Sequence, residues 1–156
     1  INFYRTLKSP DDKENKDYPP LLPTDPTQGN IRMLGYSPQK NLEALRLVYN
    51  NWEIDRSTFE TYPLKTISAA WQEVTGGTAI ISSLVNKSST SLEPATDVSL
   101  DKIFIRNIYL AYFDDGDLQK YLQPIYVFEG ESKDAQGSVY GFAAYVYAVD
   151  PAWVGQ

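Results

Sequence analysis

Three apolar runs near the C-terminus, separated by short polar turns, constrain the fold of this chain more than any other feature. Lys102 to Phe113 places Ile103, Ile105, Tyr109, Ala111 and Phe113 on one side and Phe104, Ile108, Leu110 and Tyr112 on the other, so a strand here carries two largely apolar faces. Asp114-Asp115-Gly116-Asp117 then turns the chain, Gln123 to Glu129 forms a second strand, Gly130 to Gly137 makes a second polar turn, and Val139 to Val149 is a third strand. Successive strands joined by short turns fold as an antiparallel meander. An apolar sheet face needs another layer to cover it.

The covering layer is legible upstream. Tyr62-Pro63-Leu64-Lys65 breaks the chain, after which Ile67, Ala70, Trp71 and Val74 recur at i, i+3, i+4 and i+7, one face of a short helix. Thr66 supplies an N-cap oxygen, and Gly76-Gly77 a residue able to take the left-handed conformation that closes a helix. Before the helix, Leu45, Leu47 and Tyr49 alternate with Arg46, Val48 and Asn50 and lead into Trp52 and Ile54, which predicts a strand over Leu42 to Ile54. After it, Thr78 to Val85 is rich in β-branched residues and reads as another strand. Asn86 to Ser91 follows as an exposed polar loop. The predicted class is therefore α+β: one principal short helix packed on an antiparallel sheet of about five strands, in the order β-α-β-β-β-β.

Residues 1–40 differ from the rest. Ser9-Pro10, Tyr18-Pro19-Pro20, Leu21-Leu22-Pro23, Asp25-Pro26 and Ser37-Pro38 exclude a long helix or a central strand. The mixed charges from Asp11 to Asp17 read as a solvated loop, whereas Ile1, Phe3, Leu7, Leu21, Leu22, Ile31, Met33 and Leu34 are apolar enough to lie against a body. This segment is predicted to be an irregular, partly packed arm with a short strand near Ile31 to Tyr36, preceding a single α+β domain over 41–156.

Composition narrows the chemistry. With no Cys and no His among 156 residues, thiolate and imidazole nucleophiles, the Ser-His-Asp arrangement and zinc sites built on those ligands are excluded. Carboxylate, Lys and Tyr chemistry is left. Fourteen basic against 20 acidic residues, a net charge of −6, disfavours nucleic acid as a partner. No run approaches the ~20 apolar residues of a membrane span. Ile1 is not a translation start, so the sequence reads as the processed or truncated soluble portion of a longer chain that carried a signal or an anchor.

Few motifs carry chemistry. Asp114-Asp115-Gly116-Asp117 clusters carboxylates as calcium sites do, but the glycine is misplaced for an EF-hand and no Glu stands at the twelfth position, so a turn is the simpler reading and no metal is expected. Glu129 and Glu131 flank Gly130 on one face, as paired carboxylates of a glycosidase would, yet Glu131 falls at the start of a predicted turn and both read as a solvated strand end. Gly76-Gly77 and Gly130 lack the spacing and the Lys of a phosphate loop, which removes nucleotide binding, and no cofactor is expected. Asn86-Lys87-Ser88 fits the N-glycosylation acceptor pattern. Twelve tyrosines and three tryptophans are a heavy aromatic load, read first as core. An exposed tyrosine ladder would instead mark a binding face, with Tyr112, Tyr126, Tyr145 and Glu129 as its candidate residues.

Two segments resemble the extracytoplasmic bacterial domains of the YycH/YycI group. They are Tyr62 to Ile67 leading into Ala69-Ala70-Trp71-Gln72-Glu73-Val74 and Gly76-Gly77, and Ile103 to Tyr112 followed by Tyr121 to Gly130. The resemblance spans about residues 42–149 and implies a PepSY-like or cystatin-like α+β unit outside the cytoplasmic membrane. It also implies a tether by an N-terminal helix in the full protein and a non-catalytic, regulatory role exercised by associating with a protein partner in the cell envelope. Trp71 is not carried over as a functional residue, because an indole on a short helix has reason enough to exist in packing against a sheet. The alternative from another class is a small-ligand or carbohydrate-binding module, or a carboxylate-based hydrolase, with tyrosines as stacking platforms and Glu129 or Asp114 as polar anchors.

Overall fold

The alternation of the C-terminal runs becomes strands in the computed structural model, which describes residues 2–8, 13, 18–36, 44–49, 52–88, 95 and 98–153 and is α+β. The strands are β1 (Asn2–Phe3), β2 (Arg5–Thr6), β3 (Pro20–Leu22), β4 (Ile31–Tyr36), β5 (Ala44–Tyr49), β6 (Ile80–Asn86), β7 (Leu100–Phe113), β8 (Gln123–Asp134) and β9 (Val139–Tyr147). The helix α1 is Ile67–Thr75. The chain divides into two compact units, Ile1–Glu60 with Tyr112–Leu122, and Thr61–Ala111 with Gln123–Gln156.

In the second unit β7, β8, β9 and β6 are hydrogen-bonded neighbours in that order. β8 and β9 pair antiparallel from Ile125↔Tyr147 to Lys133↔Val139, and β6 lies antiparallel to β9 from Ile80↔Tyr145 to Asn86↔Tyr140, with an irregularity between Ile81 and Ser83. Helix α1 covers one face. Ala70 and Val74, spaced by one turn, pack into a cluster with Leu84, Phe128, Tyr140, Phe142, Ala144 and Val146, and Trp71 leans on Phe128 with ring centroids 5.9 Å apart. The Thr66 hydroxyl accepts a hydrogen bond from Ala69 N–H at 3.2 Å, and Gly77 takes φ 75° beyond the last turn, so both helix ends close as the sequence predicts.

Strand β8 does not stop where the sequence suggests. Gly130 reads as a turn residue, yet the strand runs through it to Asp134, and Glu131 lies inside the strand rather than at a turn. A Cβ on Gly130 would stand 1.9 Å from the Phe104 carbonyl oxygen, so the glycine is there to let the backbone of β7 come close.

The first unit departs further. The strand predicted over Leu42 to Ile54 is β5, and it does not join the sheet beneath α1. It pairs antiparallel with β4, from Ile31↔Tyr49 to Tyr36↔Ala44, and β4 pairs with β1, giving a separate three-stranded sheet in the order β1-β4-β5. Within the segment predicted to be an irregular arm, β4 falls where a short strand is expected. There, too, β2 pairs with β3, and β3 runs parallel to the end of β7 through Leu21↔Tyr112 and Leu22↔Phe113. The sheet is therefore mixed rather than wholly antiparallel. The reason is burial: Leu21 and Leu22 are almost fully enclosed, and a buried backbone must find a strand to bond to. Ser9-Pro10, Ser37-Pro38, the charged run apart from Lys13, the strand ends Leu42, Glu43, Asn50 and Asn51, and the loop residues Ser89 to Ser91 lie outside the described residues. Among the described residues no helix is long and apolar enough to cross a membrane.

Candidate functional site

Helix α1 is one wall of an open hollow of about 460 Å³ in the second unit, and β7 is its floor. Ile67, Ser68 and Trp71 come from the helix and Ile103, Ile105 and Ile108 from the strand. The helix buries Ala70 and Val74, so the residues flanking that stripe, Ile67 and Trp71, are turned toward the hollow's edge. Ile67 is 50% exposed and Ile108 43%, far more than aliphatic side chains of a completed core. Ser68 is the one polar lining residue. Such a lining has no acid, base or nucleophile pair to run a reaction, and it suits apolar contact.

On β8, Glu129 and Glu131 are both engaged. The Tyr109 hydroxyl donates to Glu129 Oε1 at 2.6 Å. Lys87 Nζ donates to Glu131 Oε1 at 2.5 Å, and Arg106 Nη2 stands 3.7 Å from Glu131 Oε2. The Lys87 hydrogen bond and charge hold the Glu131 carboxyl below the ordinary glutamate value, with Arg106 adding to the effect. At the following turn, partial burial pushes the Asp134 carboxyl up. The hydrogen bonds it accepts from Ser138, Tyr140 and Gln136 outweigh that and leave it below the ordinary aspartate value. Burial, and then the neighbouring Asp134, pushes the Tyr140 hydroxyl up.

The candidate tyrosines do not assemble into one ladder. Tyr145 is 2% exposed, so its ring is part of the core. Tyr126 is half-buried beside the α1 cluster, and its hydroxyl donates to the Lys65 carbonyl at 3.0 Å. Tyr112 belongs to the first unit, at the half-buried end of β7 opposite Leu21.

The first unit contains a buried polar cluster that sequence reading treats as a surface turn. Asp114 is 3% exposed. Its Oδ2 accepts from Asn30 Nδ2 at 2.9 Å and lies 3.8 Å from Arg5 Nη1, and its Oδ1 accepts from Gly116 N–H at 3.1 Å. Arg5 also donates to the Trp52 carbonyl at 2.5 Å, and the Trp52 indole N–H donates to the Gly116 carbonyl at 3.0 Å. These bonds tie the segment after β5 to the segment after β7. The turn reading places Asp114 at the surface because Asp-Gly pairs favour turns, but the burial depends on Asn30, 84 positions away. Among the described residues no group of three carboxylates is placed to hold a metal ion. No protein-family model, no curated protein and no solved structure matches the chain.

Proposed function

We propose that this chain is a non-catalytic, extracytoplasmic protein-interaction domain with a regulatory role, and that it receives aliphatic side chains of an envelope partner in the hollow between α1 and β7. The observation that carries this reading is the hollow's lining, in which Ile67 and Ile108 stand half-exposed beside Trp71. Covering two such side chains removes enough apolar surface to contribute roughly 2 kcal/mol, more than a tenfold effect on affinity. The engagement of Glu129 by Tyr109 and of Glu131 by Lys87 favours binding over carboxylate catalysis, and the YycH/YycI likeness favours the envelope.

The test begins with affinity capture from an envelope fraction, followed by titration of the purified captured protein against the wild type and an Ile67→Asp/Ile108→Asp variant. The expected result is a saturable complex that the double substitution weakens by at least about tenfold, with Trp71 fluorescence changing on binding. Failure to recover any saturable partner, or a partner indifferent to both aspartates, would overturn the reading.

A further inference from the structure

The two most exposed large apolar side chains among the described residues are Phe59, at 80%, and Leu118, at 79%. Both belong to the first unit, Phe59 on the loop 52–60 and Leu118 on the loop 114–122. Trp52 and Tyr121, on the same loops, are 44% and 56% exposed. Each leaves apolar surface in water that a polar residue would not.

The loops are joined and held. The Trp52 indole bonds the Gly116 carbonyl, Arg5 bonds the Trp52 carbonyl, and Asp114 anchors the second loop from beneath through Asn30 and Gly116 N–H. Bonds that fix Trp52 and the start of the second loop reduce the conformational freedom lost when a partner binds there. Its charge is one-sided as well. With the buried Asp114 set aside, Glu53, Asp55, Glu60, Asp115 and Asp117 face Arg56 and Lys120, a net of −3 on two nine-residue loops of a chain whose total is −6. Of the two cations, Arg56 donates to the Lys8 carbonyl and Lys120 lies 5.0 Å from the centre of the Tyr121 ring. Exposed apolar side chains among charged ones have the composition of a protein interface, and an excess of negative charge selects a positive partner.

We infer that loops 52–60 and 114–122, joined through the Trp52–Gly116 hydrogen bond, form a docking surface for a cationic protein segment, with Phe59 and Leu118 as its apolar anchors and Glu53, Asp115 and Asp117 as its steering charges. This surface is independent of the hollow beside α1, and the inference stands whether or not that hollow is used.

The probe is a short fluorescent peptide alternating Lys and Leu, titrated by anisotropy against the whole chain at about 0.05 M and about 0.5 M salt. Saturable binding is expected at low salt, weakened about tenfold or more by Phe59→Ser/Leu118→Ser and by a Lys-Gly peptide of equal charge. Asp115→Asn/Asp117→Asn should weaken it at low salt and have little effect at high salt, where screening has already removed the steering. Ile67→Ser/Ile108→Ser, which adds no charge, should leave it unchanged, which separates this surface from the hollow. Circular dichroism melts establish that each variant is folded. The inference is overturned by equal binding of the Phe59→Ser/Leu118→Ser variant, by equal binding of the Lys-Gly peptide, by loss of binding in the Ile67→Ser/Ile108→Ser variant, or by absence of saturable binding. Binding of the chain to lipid vesicles in place of the peptide overturns it too.

Discussion

Beneath α1 the second unit encloses Phe128, Phe142, Ala144 and Val146, with Ala70 and Val74 of the helix pressed onto them. The described core of the first unit is smaller: Leu21 and Leu22 are its buried apolar residues, and Asn30 and Asp114 are buried with them. One unit is held chiefly by area removed from water, a term that is non-directional and grows with every methylene. The other leans on a few directional contacts around a carboxylate, where losing one partner leaves a polar group unpaired in a place water does not reach. The contrast also separates the two proposed surfaces. The hollow beside α1 is a gap in apolar packing, whereas the loops bearing Phe59 and Leu118 are displayed from a polar clamp.

Substitutions that strike each device test this contrast. Phe128→Ala removes the ring against which Trp71 packs and opens a cavity under the helix; we expect a loss of roughly 3–5 kcal/mol, read as a lower urea midpoint for Trp71 fluorescence. If the midpoint holds, the helix is not what stabilises that unit. Asp114→Ala should cost about 3 kcal/mol by stranding Asn30 and Arg5, whereas Asp114→Asn, which keeps an acceptor for Asn30, should cost less. Equal losses for the two variants would show that the space filled by Asp114, not its polar contacts, is what counts. Urea titrations of both variants, followed by Trp52 emission, decide between them.

A smaller effect of opposite sign is expected at Ser132. Its hydroxyl is fully buried on β8 and has no hydrogen-bond partner among the described residues, so Ser132→Ala should be neutral or stabilising by up to about 1 kcal/mol. A clear destabilisation in a thermal melt would mean that the hydroxyl has a partner after all. The smallest effect is electrostatic. Because the folded chain holds the Glu131 carboxyl below its ordinary value, the stability this group contributes is present above the unfolded glutamate pKa and is lost as pH falls through the folded one. Melting temperature should therefore fall as pH drops below about 4, and Lys87→Met should flatten that part of the curve. An unchanged acid limb would place the acid sensitivity in other carboxylates.

Legibility from sequence follows the same division between the units. In the second, the period-two runs of β7, β8 and β9 and the i, i+3, i+4, i+7 face of α1 show which side chains are apolar together, and Thr66 and Gly77 mark the helix ends. Gly130 misleads because glycine serves two purposes, turning a chain and admitting a neighbouring backbone, and only the position of Phe104 tells which applies. The hollow stays hidden because Ile67 and Trp71 of the helix and the isoleucines of β7 that line it are far apart in the chain, and no local pattern records that they meet. In the first unit, periodicity reveals β4 and β5 but not that they pair with each other. Asp114 looks like a turn residue until Asn30 is brought against it.

What the residues by themselves determined is local: that the C-terminal runs are strands, that a short helix bounded by Thr66 and Gly77 precedes them, that no imidazole or thiol is present among these residues, and that they are acidic. These follow from interactions within a few positions and from composition, which need no fold to act. Tertiary structure alone decided that β5 joins β4 and β1 in a sheet of their own, that β3 runs parallel to the end of β7, and that Asp114 is enclosed. It alone decided, too, that Phe59 and Leu118 are left in water. Strand partners and burial depend on contacts between residues far apart in the chain, and an apolar period records that a face must be covered without recording by what.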